Sequence, residues 1–593
     1  RKPQELLEEI EITVNGVVTI DSLFTSVLTF VENNPIFAKY ITTASRWIFV
    51  ILAVYILMKS IMSLLSTRVT PEVWGYLSVE DGVTLPITHW ENIIGRSSSV
   101  DLRIELDTIS NTQALLIRRK DGKWMFKDLN SKNGTIINGI QLIPRKKYII
   151  NPGDEITMGG AKCTLAAISV EEEKNNDAMR SMDKKPVSPW PLMVAITAFQ
   201  FLTMIQLIIG MGTNLTPGAL LSIPLLSATM WIYVILFRAM GSKGFEMEMI
   251  AFFMSTIGLA VTTSANPALT MKQYIATLVG IFIFIFMCIY MRDLRRTEKI
   301  KPVLAVLAIG LLLFNVIFGT TKFGAANWVT VGGISIQPSE IVKLAFICIG
   351  AATMENLFNK KNLYGFMLFS LFCLACLAKM GDFGGALIFF VTYLVISFLR
   401  SGDFSRLILT IGAAGIMGIL VLRFKPYILS RFNAWGHVWE PDFINGMGYQ
   451  QTRTMSYASG GGLLGLGAGN GSLKTVAASN TDLVFGFVTE EWGLIISILL
   501  VLCIITLSLF AVNSIVAGRS AFYTIAACGA ATMMIFQTML NIFGAVDLFP
   551  LTGVTFPFVS TGGTSAMCSW AMLAYFKAAD MRKDASLAIK RRP

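Results

Sequence analysis

Residues 485–512 read FGFVTEEWGLIISILLVLCIITLSLFAV, and this stretch decides the fold class. Apart from Glu490 and Glu491 it carries no charge, and it exceeds the roughly 20 apolar residues that a helix needs to cross about 30 Å of hydrocarbon. Hydrocarbon offers no water to take up backbone N–H and C=O groups, so a run of this kind is helical. Working outward, similar runs recur at about 191–211, 218–238, 247–264, 273–291, 302–319, 340–355, 364–379, 384–399, 405–422, 521–545 and 562–578, and one stands apart at Trp47–Leu65. The expectation is a polytopic α-helical membrane protein with about 12 spans plus one N-terminal span.

Composition points the same way. The 593 residues are 54% hydrophobic and 15% charged, where soluble chains are about 25% charged, and the mean hydropathy is +0.61. A net charge of +11 raises the question of nucleic acid. The basic residues, however, sit in short clusters between apolar runs, such as Arg292, Arg295 and Arg296, or Arg582, Lys590, Arg591 and Arg592. That is the pattern of cytoplasmic loops, and with no continuous basic face nucleic-acid binding drops out as a function class. The 8 cysteines are scattered, and Cys373 and Cys376 read as small apolar residues of a packed helix rather than a redox or metal pair. His89 and His437 are too few for a His-rich metal site.

Residues 1–45 form an N-terminal segment with an acidic start (Glu5, Glu8, Glu9, Glu11), followed by the span 46–66. Residues 70–170 change character, with short apolar stretches between Asp121-Gly122, Asn133-Gly134 and Asn138-Gly139. These dipeptides supply the positive φ angles of tight hairpins, so a small all-β domain is expected. Residues 171–189 read as a linker, 190–580 as the membrane domain and 581–593 as a basic tail. With the β domain and tail in the cytoplasm, the Lys- and Arg-rich connections fall on the same side. The segments 1–45, 320–339, 379–384, 424–484 and 546–561 then lie outside.

Four of those outer segments collect the polar and conformationally special residues. The first holds Asn327-Trp328 and Gln337-Pro338-Ser339-Glu340, then Lys343; the second is Gly381-Asp382-Phe383-Gly384-Gly385. The third runs from Trp439-Glu440-Pro441-Asp442 through Gly448-Tyr449-Gln450, Arg453 and the glycines at 460–469 to Thr481-Asp482, with Glu490-Glu491 beyond. The fourth is Phe549-Pro550 to Ser560-Thr561-Gly562-Gly563. Asp482 stands where a polar loop becomes an apolar helix. Partial desolvation there raises a carboxyl pKa towards the range of a general base, although the same position suits a helix N-cap. Lys343, three residues after Glu340, places charge at a helix end in the membrane, which is costly and usually faces a cavity; a simple closing pair is the other reading. Arg453 fits an anion or lipid headgroups equally. Asp382 reads as structural or as part of the site, and the glycines as phosphate cradle or as turns.

In order and spacing these segments resemble the SEDS family (FtsW, RodA and SpoVE), closely over about 300–580 and as generic spans over 190–300. The resemblance implies a bacterial plasma-membrane glycosyltransferase that polymerises lipid II into peptidoglycan at the outer face, in elongation, division or sporulation. It implies Asp482 as the catalytic carboxylate and Lys343 in the substrate cavity, with Glu340, Asn327, Trp328, Arg453, Gln450 and Asp382 as further substrate-binding candidates. It also implies undecaprenyl pyrophosphate as leaving group, a class B penicillin-binding protein transpeptidase as partner, and magnesium or manganese as a possible assisting cation. Two departures stand out: Asn327 where the family commonly has arginine, with Lys322 or Arg453 as substitutes, and no proline in Ala477-Ala478-Ser479-Asn480.

The β region carries Gly95-Arg96, Ser110, and Asp128 through Ser131-Lys132-Asn133-Gly134-Thr135. It resembles a forkhead-associated (FHA) domain, a β-sandwich that binds phosphothreonine proteins. Arg96 would supply charge-assisted bonds to phosphate and Ser110 and Asn133 neutral ones, while the family's Arg and His after the serine are Asn111 and Gln113 here. The rivals are a purely structural sandwich for this domain, and a lipid II flippase or an inactive scaffold for the whole chain.

Overall fold

The computed structural model describes residues 29, 33–65, 73–175, 186–580, 582 and 585, apart from 81, 98–99, 120–121, 323–324, 333, 354–356, 358–359, 425 and 518–519. Most of the acidic start, the middle of the linker and nearly all of the basic tail lie outside the described residues, as do Asp121, Gly324 and Gly333.

The chain opens with α1 (Pro35–Leu65), which begins well before the expected Trp47. The β domain follows as two packed sheets. One has the order β2–β1–β11–β10–β7–β8 (Thr84–Ile87, Gly75–Val79, Ala161–Ala166, Glu155–Met158, Thr135–Ile137, Ile140–Gln141). The other has the order β4–β3–β5–β6–β9 (Leu102–Arg103, Glu91–Gly95, Ala114–Arg118, Trp124–Asp128, Lys147–Ile150). Leu77, Ile94, Leu116, Phe126 and Ile156 fill the space between them. Asn138 and Gly139 have φ of 49° and 81°, the two positive values a two-residue hairpin needs, and they join β7 to β8 as the sequence predicts.

Among the described residues, ten helices are long and apolar enough to cross a membrane. They include α1 and then α2 (Pro189–Met211), α3 (Pro217–Ala239), α4 (Glu246–Ala265), α5 (Pro267–Tyr290) and α6 (Leu294–Phe318). After the hairpin β12–β13–β14 (Thr320–Lys322, Ala325–Val331, Ile334–Ile336) come α7 (Pro338–Gly350), α8 (Lys360–Met380), α9 (Phe383–Ser401), α10 (Phe404–Phe424), α11 (Pro426–Ala434) and α12 (Tyr449–Gly461). The chain closes with α13 (Val484–Trp492), α14 (Leu494–Ala517), α15 (Ala521–Ala545) and α16 (Gly563–Ala579). The apolar run of α4 is buried throughout; α2, α3, α5 and α16 pack around it and against one another.

Two expected spans are corrected. The run 485–512 is not one helix: it breaks at Gly493, whose φ of +90° no L side chain adopts comfortably. A Cβ on Gly493 would also collide with Leu463 O, and one on Gly465 with Glu491 O; the two glycines let the loop after α12 lie directly on α13. The run 340–355 becomes the 13-residue α7, about 20 Å long at helical rise and short of a full crossing. It stops because Arg400 Nη1 donates to Gly350 O at 3.1 Å and Lys301 Nζ donates to Ala351 O, two cations on the carbonyl end of the helix. The run 562–578 forms α16 to within one residue.

Candidate active site

The four polar segments meet. Gln337, Ser339, Glu340 and Lys343 from the start of α7, Asp382, Gly385, Ile388 and Phe389 from the start of α9, and Gly553–Thr555 from the fourth segment line one cleft of about 320 Å³ including its open mouth. Lys343 and Glu340 are buried and pair through Nζ–Oε1 at 2.6 Å. The pair does more than close a helix end. Lys343 Nζ also donates to Gln537 Oε1 at 2.9 Å, and Gln537 Nε2 donates to Thr555 O at 2.8 Å, so the ammonium is aimed along the cleft wall.

The two aspartates behave differently. Asp382 is a helix N-cap: its Oδ1 accepts from Gly385 N at 2.8 Å at the head of α9. Burial pushes its pKa up, against the Gly385 bond and the Lys343 charge. The N-cap of α13, by contrast, is Leu483, with no side-chain cap bond, so the capping explanation for Asp482 falls. Asp482 is half-buried, and burial pushes its carboxyl up to about 6, opposed by a bond from Thr481 and by the Arg431 charge and reinforced by Asp382. Gly553 separates it from the cleft without a side chain: a Cβ there would stand 3.3 Å from Asp482 Oδ2.

The Asp482 backbone is held from outside its own loop. Asn541 Nδ2 donates to Asp482 O at 3.0 Å and to Val554 O at 2.7 Å, and Ser560 Oγ donates to Thr481 O at 2.6 Å. Gln537 and Asn541, four residues apart on α15, therefore face one site from one helix side. The sequence reading passed them over. Their signal was two amides at i, i+4 inside an apolar helix, where a polar side chain needs a buried partner. Arg431, also passed over, donates to Leu551 O at 2.6 Å and supplies the cation that acts on Asp482.

The remaining candidates lie off this cleft. Gln450 Nε2 donates to Ala477 O at 2.8 Å, bracing the loop before Asp482. Arg453 lies over the Tyr449 ring at 5.3 Å. Asn327 and Trp328 are on β13, which packs against α6, α7 and α8, and Asn327 Oδ1 is buried without a partner among the described residues. The glycines resolve as turns and close contacts: Gly467 lies against Gln206, Gly469 against Met211, and Gly471 against Glu490 and Glu491. Glu490 accepts from Ser472 N and Leu473 N at 2.7 and 2.9 Å, so it holds the loop rather than lining the cleft. Among the described residues no group of three or more His, Cys, Asp or Glu gathers as a metal site.

In the β domain the three phosphate candidates converge on neighbouring loops. Arg96 Nη1 pairs with Asp107 Oδ1 at 2.5 Å, Ser110 Oγ accepts from Lys132 N at 2.9 Å, and Asn133 Nδ2 donates to Thr108 O at 2.7 Å. Gln113, at the position where the family has histidine, ties the two loops together. Its Oε1 accepts from Ser110 N at 3.0 Å and its Nε2 donates to Gly134 O at 2.9 Å.

Comparison with known proteins follows this geometry. Residues 227–584 match the family model FtsW/RodA/SpoVE, described as cell cycle protein, and residues 92–159 match the FHA domain. A probable peptidoglycan glycosyltransferase FtsW of Buchnera aphidicola is 27% identical over 332 residues, 54% of this chain and 82% of that protein. The peptidoglycan glycosyltransferase RodA of Mycobacterium bovis is 28% identical over 329 residues, 51% and 68% of the two chains. Among solved structures, the rod shape determining protein RodA of Thermus thermophilus aligns at 21% identity with a TM-score of 0.41, covering 56% of this chain and 94% of that one.

Proposed function

Because the chain belongs to the FtsW/RodA/SpoVE family and carries an FHA domain, we propose that it is a peptidoglycan glycosyltransferase that polymerises lipid II. Asp482 takes the proton from the acceptor sugar's hydroxyl as that oxygen attacks the anomeric carbon of the donor. The bond from that carbon to pyrophosphate breaks with inversion, and undecaprenyl pyrophosphate leaves with the electron pair. A base whose pKa is about 6 is ionised at neutral pH yet basic enough to share a proton in the transition state. Lys343, held by Glu340 and Gln537, offsets the negative charge that grows on the leaving pyrophosphate.

The observation that carries this reading is the uncapped, desolvated Asp482 beside a cleft that also holds Lys343. Charge bias of the connections supports an orientation with the cleft outside and the FHA domain in the cytoplasm. In that orientation a phosphothreonine protein binds through Arg96, Ser110 and Asn133 within reach of cytoplasmic kinases. A class B penicillin-binding protein is the partner that would crosslink the strands. Divalent magnesium or manganese has no assigned ligands in this scheme.

The test is reconstitution with lipid II, comparing the unchanged chain with Asp482→Ala. Glycan strands are expected only from the former, and equal polymer from both would sink the assignment. For the FHA domain, Arg96→Ala should abolish binding to phosphothreonine peptides in a titration; undiminished binding would refute that site.

A further inference from the structure

The family match begins at residue 227, so α1 and α2 stand outside it, and the FHA domain is inserted between them. Both helices nevertheless reach the loop that leads to Asp482. On α1, whose other cations are Lys39 and Lys59, Arg46 is half-buried where the helix enters its apolar run. Its Nη2 donates to Leu466 O at 2.5 Å, and its Nε is buried without a partner among the described residues. Beside it Ser45 Oγ accepts from Gln206 Nε2 of α2 at 3.1 Å, and a Cβ on Gly467 would meet Gln206 Oε1 at 2.9 Å and Thr42 Cγ2 at 3.1 Å. One helical turn further, Phe49 packs edge-on against Trp492 at 4.7 Å.

The peptide that Arg46 holds is pinned on its other side to α13. Leu466 N donates to Glu490 O at 2.8 Å and Gly467 N to Glu491 O at 2.9 Å. The Glu490 carboxylate then binds Ser472 N and Leu473 N, and α13 is the helix that begins directly after Asp482. We propose that Arg46 is a positioning residue for the polymerisation reaction: it clamps the Leu466 peptide between α1 and α13 and so fixes the base of the Asp482 loop. This inference rests on the glycosyltransferase reading above. It adds a residue from outside the family's own domain, on the helix that leads into the FHA insertion.

The experiment uses the full chain in lipid II proteoliposomes, with initial rate measured against lipid II concentration for Arg46→Ala and Arg46→Lys. Arg46→Ala should lower kcat about tenfold, the scale of a sub-ångström misplacement, with KM unchanged. Arg46→Lys, which can still donate to one carbonyl, should restore most of it. Full-rate turnover by Arg46→Ala overturns the proposal. A lowered thermal midpoint with raised KM that lysine does not rescue also overturns it, in favour of a purely structural role. Equal polymer from the unchanged chain and Asp482→Ala would instead overturn the glycosyltransferase reading and this inference with it.

Discussion

Two of the groups of buried charge in the helical domain are built on opposite principles. One gathers at the head of α4 and the foot of α16. Glu246 accepts from Ser63 Oγ, from Val187 N at 3.0 Å and from Arg582 Nη2 at 3.1 Å. Glu248 accepts from Tyr233 OH at 3.0 Å and pairs with Lys577 at 2.8 Å, and Lys577 also donates to Gly244 O at 2.5 Å. Asp580 binds Arg582 through both oxygens. Every charge there is spent on a neighbour, and the cluster joins the ends of α1, the linker after the FHA domain, α4 and the C-terminal segment. The other group, at the cleft, is left incomplete: the Asp482 carboxylate caps no helix, and Thr552 Oγ1 is buried without a partner among the described residues. A closed cluster holds elements together; an open one keeps capacity for a substrate.

The difference predicts opposite responses to mutation. The largest effect is on rate. Asp482→Asn should lower polymerisation by about 10²–10⁴-fold, the usual worth of a general base. Its thermal midpoint should be unchanged or higher. Burial raises the folded-state carboxyl pKa above its unfolded value, so the folded chain binds that proton more tightly, and the ionised group costs stability as pH rises through about 6. In the unchanged protein, kcat/KM should fall as pH drops below about 6 and Asp482 takes up its proton. A flat profile between pH 5 and pH 8 would separate Asp482 from the proton transfer.

The closed cluster should answer in stability instead. Arg582→Ala leaves Glu246 and Asp580 buried without their shared cation, which costs on the order of 3–5 kcal/mol. Thermal unfolding in detergent should show a clear drop, while the fraction that stays folded polymerises at close to the normal rate. A large loss of kcat in that folded fraction would mean that the two clusters are coupled through α4 or α16.

This contrast explains what was legible in the sequence. Long apolar runs announce helices, and Asn-Gly pairs announce hairpins, because both depend on local composition. The four polar segments were legible as islands in an apolar chain, and they do converge. What stayed hidden depended on tertiary partners. Glu490 and Glu491 interrupt the apolar run just before Gly493, but only the meeting with the Leu463–Gly465 backbone fixes the break between α13 and α14 there. Arg582 read as part of a basic tail, yet it is buried, because its partners Glu246 and Ser63 come from helices far away in sequence. Arg431 sat in the long loop among other basic and aromatic residues, with nothing local to tie it to Asp482.

Gln537 and Asn541 lie between the two extremes and give the finest test. They are buried and polar like the closed cluster, yet they serve the open one. Asn541→Asp keeps size and burial but replaces the Nδ2 donor with an oxygen facing Asp482 O and Val554 O, three acceptors with no proton between them. The Asp482 backbone should shift, and kcat at neutral pH should fall about tenfold. Asn541→Ala removes the donor without the repulsion and should lose less. If instead Asn541→Asp unfolds the chain as readily as Arg582→Ala while its folded fraction keeps full kcat, then Asn541 belongs with the closed cluster, and Asp482 is held by its own loop alone.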